Sequence, residues 1–250
     1  MEIKHLNLEL KDNWNEYIAT IWKNIFIKIG LPRYGTIVEI APGEVNKIGK
    51  ALEMYGFKGT LIIIEPNEKS LNNLTKEYNS KFKDINLIGI NRELKDSIKL
   101  LPNKVDAILS NHPLDDMIIG KFLKDKEFNN FFDNCYENYD LAHIKKIWDK
   151  VESSNNAEEI KNEVGKEFIE LFNKTNPEIV IISQYESYFF KTNKIDYPDK
   201  IGFELLNKLK IENIGTDYSK VLDNIKEIND KERWALFRPC KDLKMRDNAK

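Results

Sequence analysis

The segment Thr36-Ile37-Val38-Glu39-Ile40-Ala41-Pro42-Gly43-Glu44-Val45-Asn46-Lys47-Ile48-Gly49 changes its periodicity halfway along. Thr36 to Ile40 is a short, mostly apolar run suited to a buried strand. The chain then turns through Ala41-Pro42-Gly43. Beyond the turn, Ile48, Ala51, Leu52 and Tyr55 recur at i, i+3, i+4 and i+7, the spacing of one helix face. Gly56 stands where such a helix stops. A turn of small residues between strand and helix lets a ligand approach backbone and meet the free N–H groups of the helix N-terminus.

Gly59-Thr60-Leu61-Ile62-Ile63-Ile64-Glu65 reads as a second buried strand closed by an acid, and 22 residues separate Gly43 from Glu65. In dinucleotide folds an acid roughly 20 residues beyond the glycine turn accepts hydrogen bonds from ribose hydroxyls. A Pro-Gly turn alone also occurs in α/β proteins that bind nothing there. Turn, acid, spacing and periodicity together point to a ligand site.

Glu39-Ile40-Ala41-Pro42-Gly43 followed by Ile64-Glu65-Pro66 resembles motifs I and II of the class I S-adenosylmethionine-dependent methyltransferases. The resemblance implies S-adenosyl-L-methionine as cofactor, with Glu39, Ala41, Pro42, Gly43, Glu65, Pro66, Asn91, Arg92 and Asn111 around it and Glu65 holding the ribose. Ala41 stands at one usual glycine of that family and Val45 near another, which bears on the shape of the loop.

The chain has 250 residues, 41% hydrophobic and 32% charged, the composition of an ordinary soluble globular protein. A net charge of −2 gives no electrostatic case for a nucleic-acid partner. Cys135 and Cys240 lie far apart, and His5, His112 and His143 are scattered, so no metal spacing is visible. Met1-Glu2-Ile3-Lys4-His5 is not a signal peptide, and no apolar run is long enough to span a membrane. These features read as a cytoplasmic protein.

Trp14, Tyr17, Ile18, Ile21, Trp22, Ile25, Phe26 and Ile29 predict a helix over 13–29, ended by Gly30 and Pro32. Its aromatic stripe suits core packing; the alternative is that Trp14 or Tyr17 closes over the cofactor. Alternation follows: strand 36–41, helix 44–55, strand 60–65, helix 67–79, strand 85–90, helix 92–101 and strand 105–110. Strands alternating with helices imply parallel pairing and right-handed crossovers. Glu39, Gly43, Glu65, Asn91 and Asn111 then fall at the carboxyl ends of strands, where such sheets bind ligands. From Leu114 to Asn176 the alternation breaks, with helical patterns over 117–132 and 136–151 and a helical face of Ile160, Val164, Phe168, Leu171 and Phe172. This is either a helical insert covering the substrate or an enlarged packing layer. A strand over 177–182, a helix over 200–210, an ambiguous 211–228 and a last strand over 233–237 complete the chain, ahead of a charged tail, 241–250. The resemblance implies a final antiparallel hairpin.

Ser110-Asn111-His112-Pro113-Leu114-Asp115-Asp116 ends the fourth strand, where the resembling family brings methyl donor and acceptor together. Amino-methylating members carry Asn-Pro-Pro and an aromatic there. Asn111 and Pro113 match, while His112 and Leu114 depart, which weakens base methylation. Histidine has a suitable pKa to take a proton from an acceptor hydroxyl, and Asp115 or Asp116 could orient it or bind a cationic acceptor. Alternatively His112 braces the loop and the aspartates cap the next helix. Pro113 is expected to hold His112 extended. Asn91 and Arg92 fall where the family contacts adenine, and Gln184, Tyr185 and Glu186 could reach the acceptor.

The expected fold is α/β: a Rossmann-like, mostly parallel sheet flanked by helices, with an N-terminal helical cap (1–35) and a helical insert after strand 4 (114–176), in a single domain over 1–250. The resemblance covers roughly 36–240 and implies S-adenosylmethionine-dependent O- or N-methylation of a small molecule. His112 and Asp115 are the catalytic candidates, and Asp116 and Tyr185 the substrate contacts. Two alternatives stay open: an NAD(P)-dependent oxidoreductase, against which the turn lacks the three-glycine fingerprint, and a methyltransferase-like module that binds without turnover.

Overall fold

The computed structural model describes residues 2–123, 126–133 and 140–240, the side chains of 2–13, 126, 133 and 212–214 excepted. Seven strands form one sheet: β1 (Thr36–Ile40), β2 (Thr60–Ile64), β3 (Asn86–Ile90), β4 (Ala107–Asn111), β5 (Ile179–Ser183), β6 (Ile214–Asp217) and β7 (Trp234–Pro239), in the order β3-β2-β1-β4-β5-β7-β6. The first five pair in parallel, and β7 runs antiparallel to both β5 and β6. The antiparallel pair implied by the resemblance is therefore present, at the end of the sheet.

β1, β4 and β5 lie at the centre and read as near-continuous apolar runs because both their faces are covered. On one face, Ile37, Leu61, Ile63, Leu109 and Ile181 meet α1 (Glu2–Ile29), α2 (Lys47–Tyr55) and α3 (Glu68–Lys81). On the other, Val38, Ile40, Ile108, Val180 and Ile182 meet α5 (Leu114–Phe122), α8 (Ala157–Thr175) and α10 (Tyr197–Asn213). The described helices of 114–176 thus supply a packing layer of the sheet: Val164, Phe168, Leu171 and Phe172 of α8 are buried with Phe237 of β7. α6 (Lys126–Asp133) and α7 (Leu141–Glu152) extend that layer through Phe131 and Trp148.

Local chemistry fixes the ends of these helices. Gly56 takes φ +80 and closes α2, a conformation costly for a residue with a Cβ. Asn67 accepts from Ser70 N at 2.9 Å and opens α3, and Asp140 accepts from His143 N at 3.1 Å and opens α7. α1 outruns the expected 13–29. The helix expected over 92–101 is α4 (Leu94–Ser97) continued by a 3-10 turn, Ile98–Leu100. The pattern over 117–132 is two helices, α5 and α6, and 211–228 resolves into β6 and a 3-10 stretch, Ser219–Asn224. The short α9 (Tyr188–Thr192), capped by Ser187, was not legible in the periodicity. Cys135, the 136–139 opening of an expected helix, and the tail 241–250 lie outside the described residues.

Candidate active site

The carboxyl ends of β1, β2, β4 and β5 converge. After β1 the chain reverses through Ala41 at φ +48 and Gly43 at φ +63. Ala41 thus adopts, at a cost of about 1–2 kcal/mol, the left-handed conformation that a glycine takes freely. Gly43 is open to the outside, since a Cβ there would meet nothing within 4 Å. Its N–H donates to Oε2 of Glu65 at 3.0 Å, and Oε1 of Glu65 accepts from Asn67 N at 2.9 Å. One carboxyl therefore ties the β1 turn to the β2 turn. Glu65 is 5% exposed; burial, opposed by those two amides, raises its pKa to about 7. Pro66 belongs to the same turn, where Nδ2 of Asn91 donates to the carbonyls of Glu65 and Pro66 at 3.1 and 2.9 Å. Arg92 beside it is exposed.

Glu39 lies beneath this turn, 1% exposed, on the α2–α3 face of the sheet. The Tyr78 hydroxyl donates to its Oε2 at 3.4 Å and accepts from Gly49 N at 3.2 Å. Gly49 is required for that approach, because a Cβ there would stand 2.1 Å from Tyr78 Cζ. Burial lifts the Glu39 pKa to about 8, against the Tyr78 hydrogen bond and helped by Glu65. Glu39 is thus enclosed by protein beneath the turn, and burial favours its protonated form.

The β4 end is a second cluster. Asn111 Oδ1 accepts from Trp22 Nε1 at 2.9 Å and from Ser183 Oγ at 3.2 Å, while its Nδ2 donates to the Tyr185 hydroxyl at 3.1 Å. His112 N donates to Ser183 O at 2.8 Å, and φ then swings to +59. The extended backbone expected before Pro113 is overturned. The chain must reverse at once to start α5, whose first amide, Leu114 N, donates to the buried Gln184 side chain at 3.1 Å. Non-glycine residues held this way carry about 1–3 kcal/mol of strain.

The His112 imidazole lies between two carboxylates. Its Nδ1 is 3.3 Å from Asp115 Oδ1, its Nε2 is 4.0 Å from Asp199 Oδ1, and its ring lies 4.7 Å from that of Tyr185. Burial opposes its charge, but Asp115, Tyr185 and Asp116 outweigh burial and raise its pKa to about 10. A pKa raised this far favours the protonated imidazole at neutral pH, the form that donates a hydrogen bond. Among the described residues its Nε2 is buried without a hydrogen-bond partner. Asp115, 1% exposed, also accepts from Gln184 Nε2 at 2.8 Å. Asp116 is pushed well up by burial and by Asp115, with Glu65 adding to the rise and His112 and Lys47 opposing it. Neither aspartate caps α5, whose N-cap is Pro113. Asp199 accepts from Ser187 N at 3.0 Å; burial raises its pKa to about 6.

Tyr185 links the two clusters. Its hydroxyl accepts from Lys47 Nζ, in the first turn of α2, at 2.9 Å. Trp14 of α1 meets its ring edge-on at 5.9 Å, and Tyr17 stacks obliquely on Trp14. Glu186 turns instead to Lys191. Sequence reasoning missed Trp22, Lys47 and Asp199. The first was hidden in a stripe of core aromatics, the second directly follows the turn, and the third is one acid among many in Asp196-Tyr197-Pro198-Asp199.

The strand order 3-2-1-4-5 is that of nucleotide-binding doubly wound sheets, and the inserted antiparallel β7 departs from the all-parallel dinucleotide order. The fold is Rossmann-like. No protein-family model matches this sequence. No curated protein matches it either. Several solved structures of methyltransferase-type proteins are similar to it. One is the bifunctional kinase–methyltransferase WbdD, 11% identical at TM-score 0.40, covering 76% of this chain and 33% of that chain. A candidate RNA methyltransferase from Pyrococcus horikoshii is 9% identical at TM-score 0.38, covering 70% of this chain and 61% of that chain. The cyclopropane synthase MmaA2 from Mycobacterium tuberculosis is 10% identical at TM-score 0.40, covering 80% and 65%. This chain spans about a third of the length of WbdD. At these identities and scores, no activity passes from those proteins to this one. Among the described residues no helix is long and apolar enough to cross a membrane, and no cluster of three or more His, Cys, Asp or Glu side chains is placed to hold a metal ion.

Proposed function

We propose that this chain is an S-adenosylmethionine-dependent methyltransferase acting on a small-molecule acceptor at oxygen or nitrogen. The observation that carries the reading is the Gly43–Glu65 tie at the ends of adjacent parallel strands. Backbone N–H groups and a carboxyl meet there beside open space over Gly43.

The residues fit a nucleoside with a cationic sulfur. Each Glu65 oxygen uses one lone pair on a backbone amide and keeps another for a ribose hydroxyl. Asn91 braces the wall of the same turn, Arg92 stands exposed beside it, and Ala41 and Pro42 shape the floor. The raised pKa values of Glu65 and Asp116 mark carboxyls short of positive charge, which a sulfonium would provide. When bound, that group supplies a methyl carbon open to in-line displacement.

The chain's own residues position the acceptor. Asn111 sits at the β4 edge, held by Trp22 and Ser183. His112, held by Asp115, offers a free Nε2–H donor, and Asp116 and Tyr185 flank it. Positioning of this kind supplies most of the rate gain in a reaction that needs alignment of two reactants. A thermal-shift panel tests the reading. S-adenosylhomocysteine is expected to raise the melting temperature and NADH to leave it unchanged, because a ligand of the native state stabilises by mass action. Stabilisation by NADH alone would overturn it.

A further inference from the structure

We propose that Tyr185, held as a phenolate by Lys47 and Asn111, is the general base that takes the proton from the acceptor atom. This rests on the methyl-transfer reading above and names the base for its acceptor half.

A phenol oxygen has two acceptor lone pairs and one proton. Lys47 Nζ at 2.9 Å and Asn111 Nδ2 at 3.1 Å both donate to the Tyr185 oxygen. Its own proton is given to no acceptor in the hydrogen bonds described for this cluster. An oxygen supplied with two N–H donors, one of them an ammonium, is arranged for a negative charge. Lys47 also stands 5.6 Å from the ring centroid, and the His112 imidazolium packs at 4.7 Å on the ring.

The charged groups around it come from each neighbouring element. α2 brings Lys47 and the end of β4 brings His112. Asp115 and Asp116 of α5 raise the pKa of His112, and Asp199 of α10 lies 4.0 Å from its Nε2. Among the described residues, α1 brings the uncharged Trp14 against the Tyr185 ring, with Tyr17 packed on Trp14. Burial opposes ionisation of Tyr185, yet Lys47 and His112 outweigh it and bring the hydroxyl below the ordinary tyrosine range.

In the step itself the acceptor X–H bond breaks and its electron pair stays on X. The proton forms the O–H bond of Tyr185, and the pair on X is free for the methyl carbon. With its pKa raised to about 10, His112 holds its own proton at neutral pH and is left as a donor. Its Nε2–H instead holds the acceptor beside the phenolate.

The test is a spectrophotometric titration of tyrosinate on the full chain, without any ligand. One of the ten tyrosines is expected to ionise ahead of the rest. That early signal should vanish in Tyr185→Phe and move to higher pH in Lys47→Met. No early ionisation, or an early signal that survives in Tyr185→Phe, would overturn the proposal. Should Tyr185→Phe fail to fold by circular dichroism, carbon NMR of ring-labelled tyrosine reads the same ionisation in the unmutated chain and in Lys47→Met. An early resonance that ignores Lys47→Met would then overturn it. A merely structural hydrogen bond at Tyr185 yields no early phenolate. Because the titration needs no methyl donor, its failure is separate from a failure to bind S-adenosylhomocysteine.

Discussion

The backbone N–H of Gly43 lies 3.0 Å from Oε2 of Glu65, so the first turn of the site is closed onto the second by a single carboxyl. Glu65→Ala removes the acceptor of two amides, Gly43 N and Asn67 N. A loss of about 1–3 kcal/mol in stability is expected in urea denaturation. S-adenosylhomocysteine affinity is expected to fall at least about tenfold, equivalent to about 1.4 kcal/mol. Unchanged affinity in calorimetry would remove Glu65 from the ligand site.

Glu39 makes the protein less stable as the solution becomes more alkaline. Its folded pKa of about 8 lies above the ordinary 4.5, so the folded chain holds a proton that the unfolded chain has released. The stability tied to this group is complete below 4.5 and is lost as pH rises through about 8. Each unit of that window corresponds to at most about 1.4 kcal/mol. Glu39→Gln copies the protonated form. The variant is expected to gain melting temperature relative to the unmutated chain between about pH 5 and about pH 9. A difference independent of pH would show that Glu39 does not titrate in this window.

His112 is expected to stay protonated through neutral pH. Its pKa of about 10, against 6.5, means that its contribution to stability is full below 6.5 and is lost as pH rises through about 10. Nitrogen NMR of the histidines should show one resonance titrating far later than an ordinary imidazole and missing from His112→Gln. That variant leaves Asp115 and Asp199 without their cation, at a cost of up to about 3–5 kcal/mol in denaturant unfolding. A neutral-range titration for His112 would restore it as a candidate base.

The β1 turn and the β2 acid were legible because they follow one another locally: apolar run, small-residue turn, helical face, second run and acid. The parallel pairing of β1 to β5 followed from the alternation, whereas the sheet order did not; of the strand-end residues, Glu65 and Asn91 meet in one turn and Asn111 joins the β4 cluster. What the sequence hid was non-local. Glu39 looks like any strand-end acid, and only packing shows it enclosed by Tyr78 from α3. Trp22 gives its ring to the core and its N–H to Asn111, 89 residues away, and periodicity reports only the ring. The imidazole of His112 faces Asp199, contributed by a helix much later in the chain. The backbone of His112 followed the geometry of the β5 ladder over the preference set by Pro113.

The charge balance carries a prediction about partners. With a net charge of −2, no salt-dependent binding to generic duplex DNA or RNA is expected near physiological ionic strength. A gel shift at micromolar protein with a steep salt slope would reverse that and redirect the search for the acceptor to nucleic acid.

Isothermal calorimetry of the full chain with S-adenosylhomocysteine, repeated with NADH and with Glu65→Ala, tests the methyl-donor reading most directly. Saturable binding of S-adenosylhomocysteine that is weakened at least about tenfold in Glu65→Ala, with no heat from NADH, is the expected result. Binding of NADH with no signal from S-adenosylhomocysteine would contradict it.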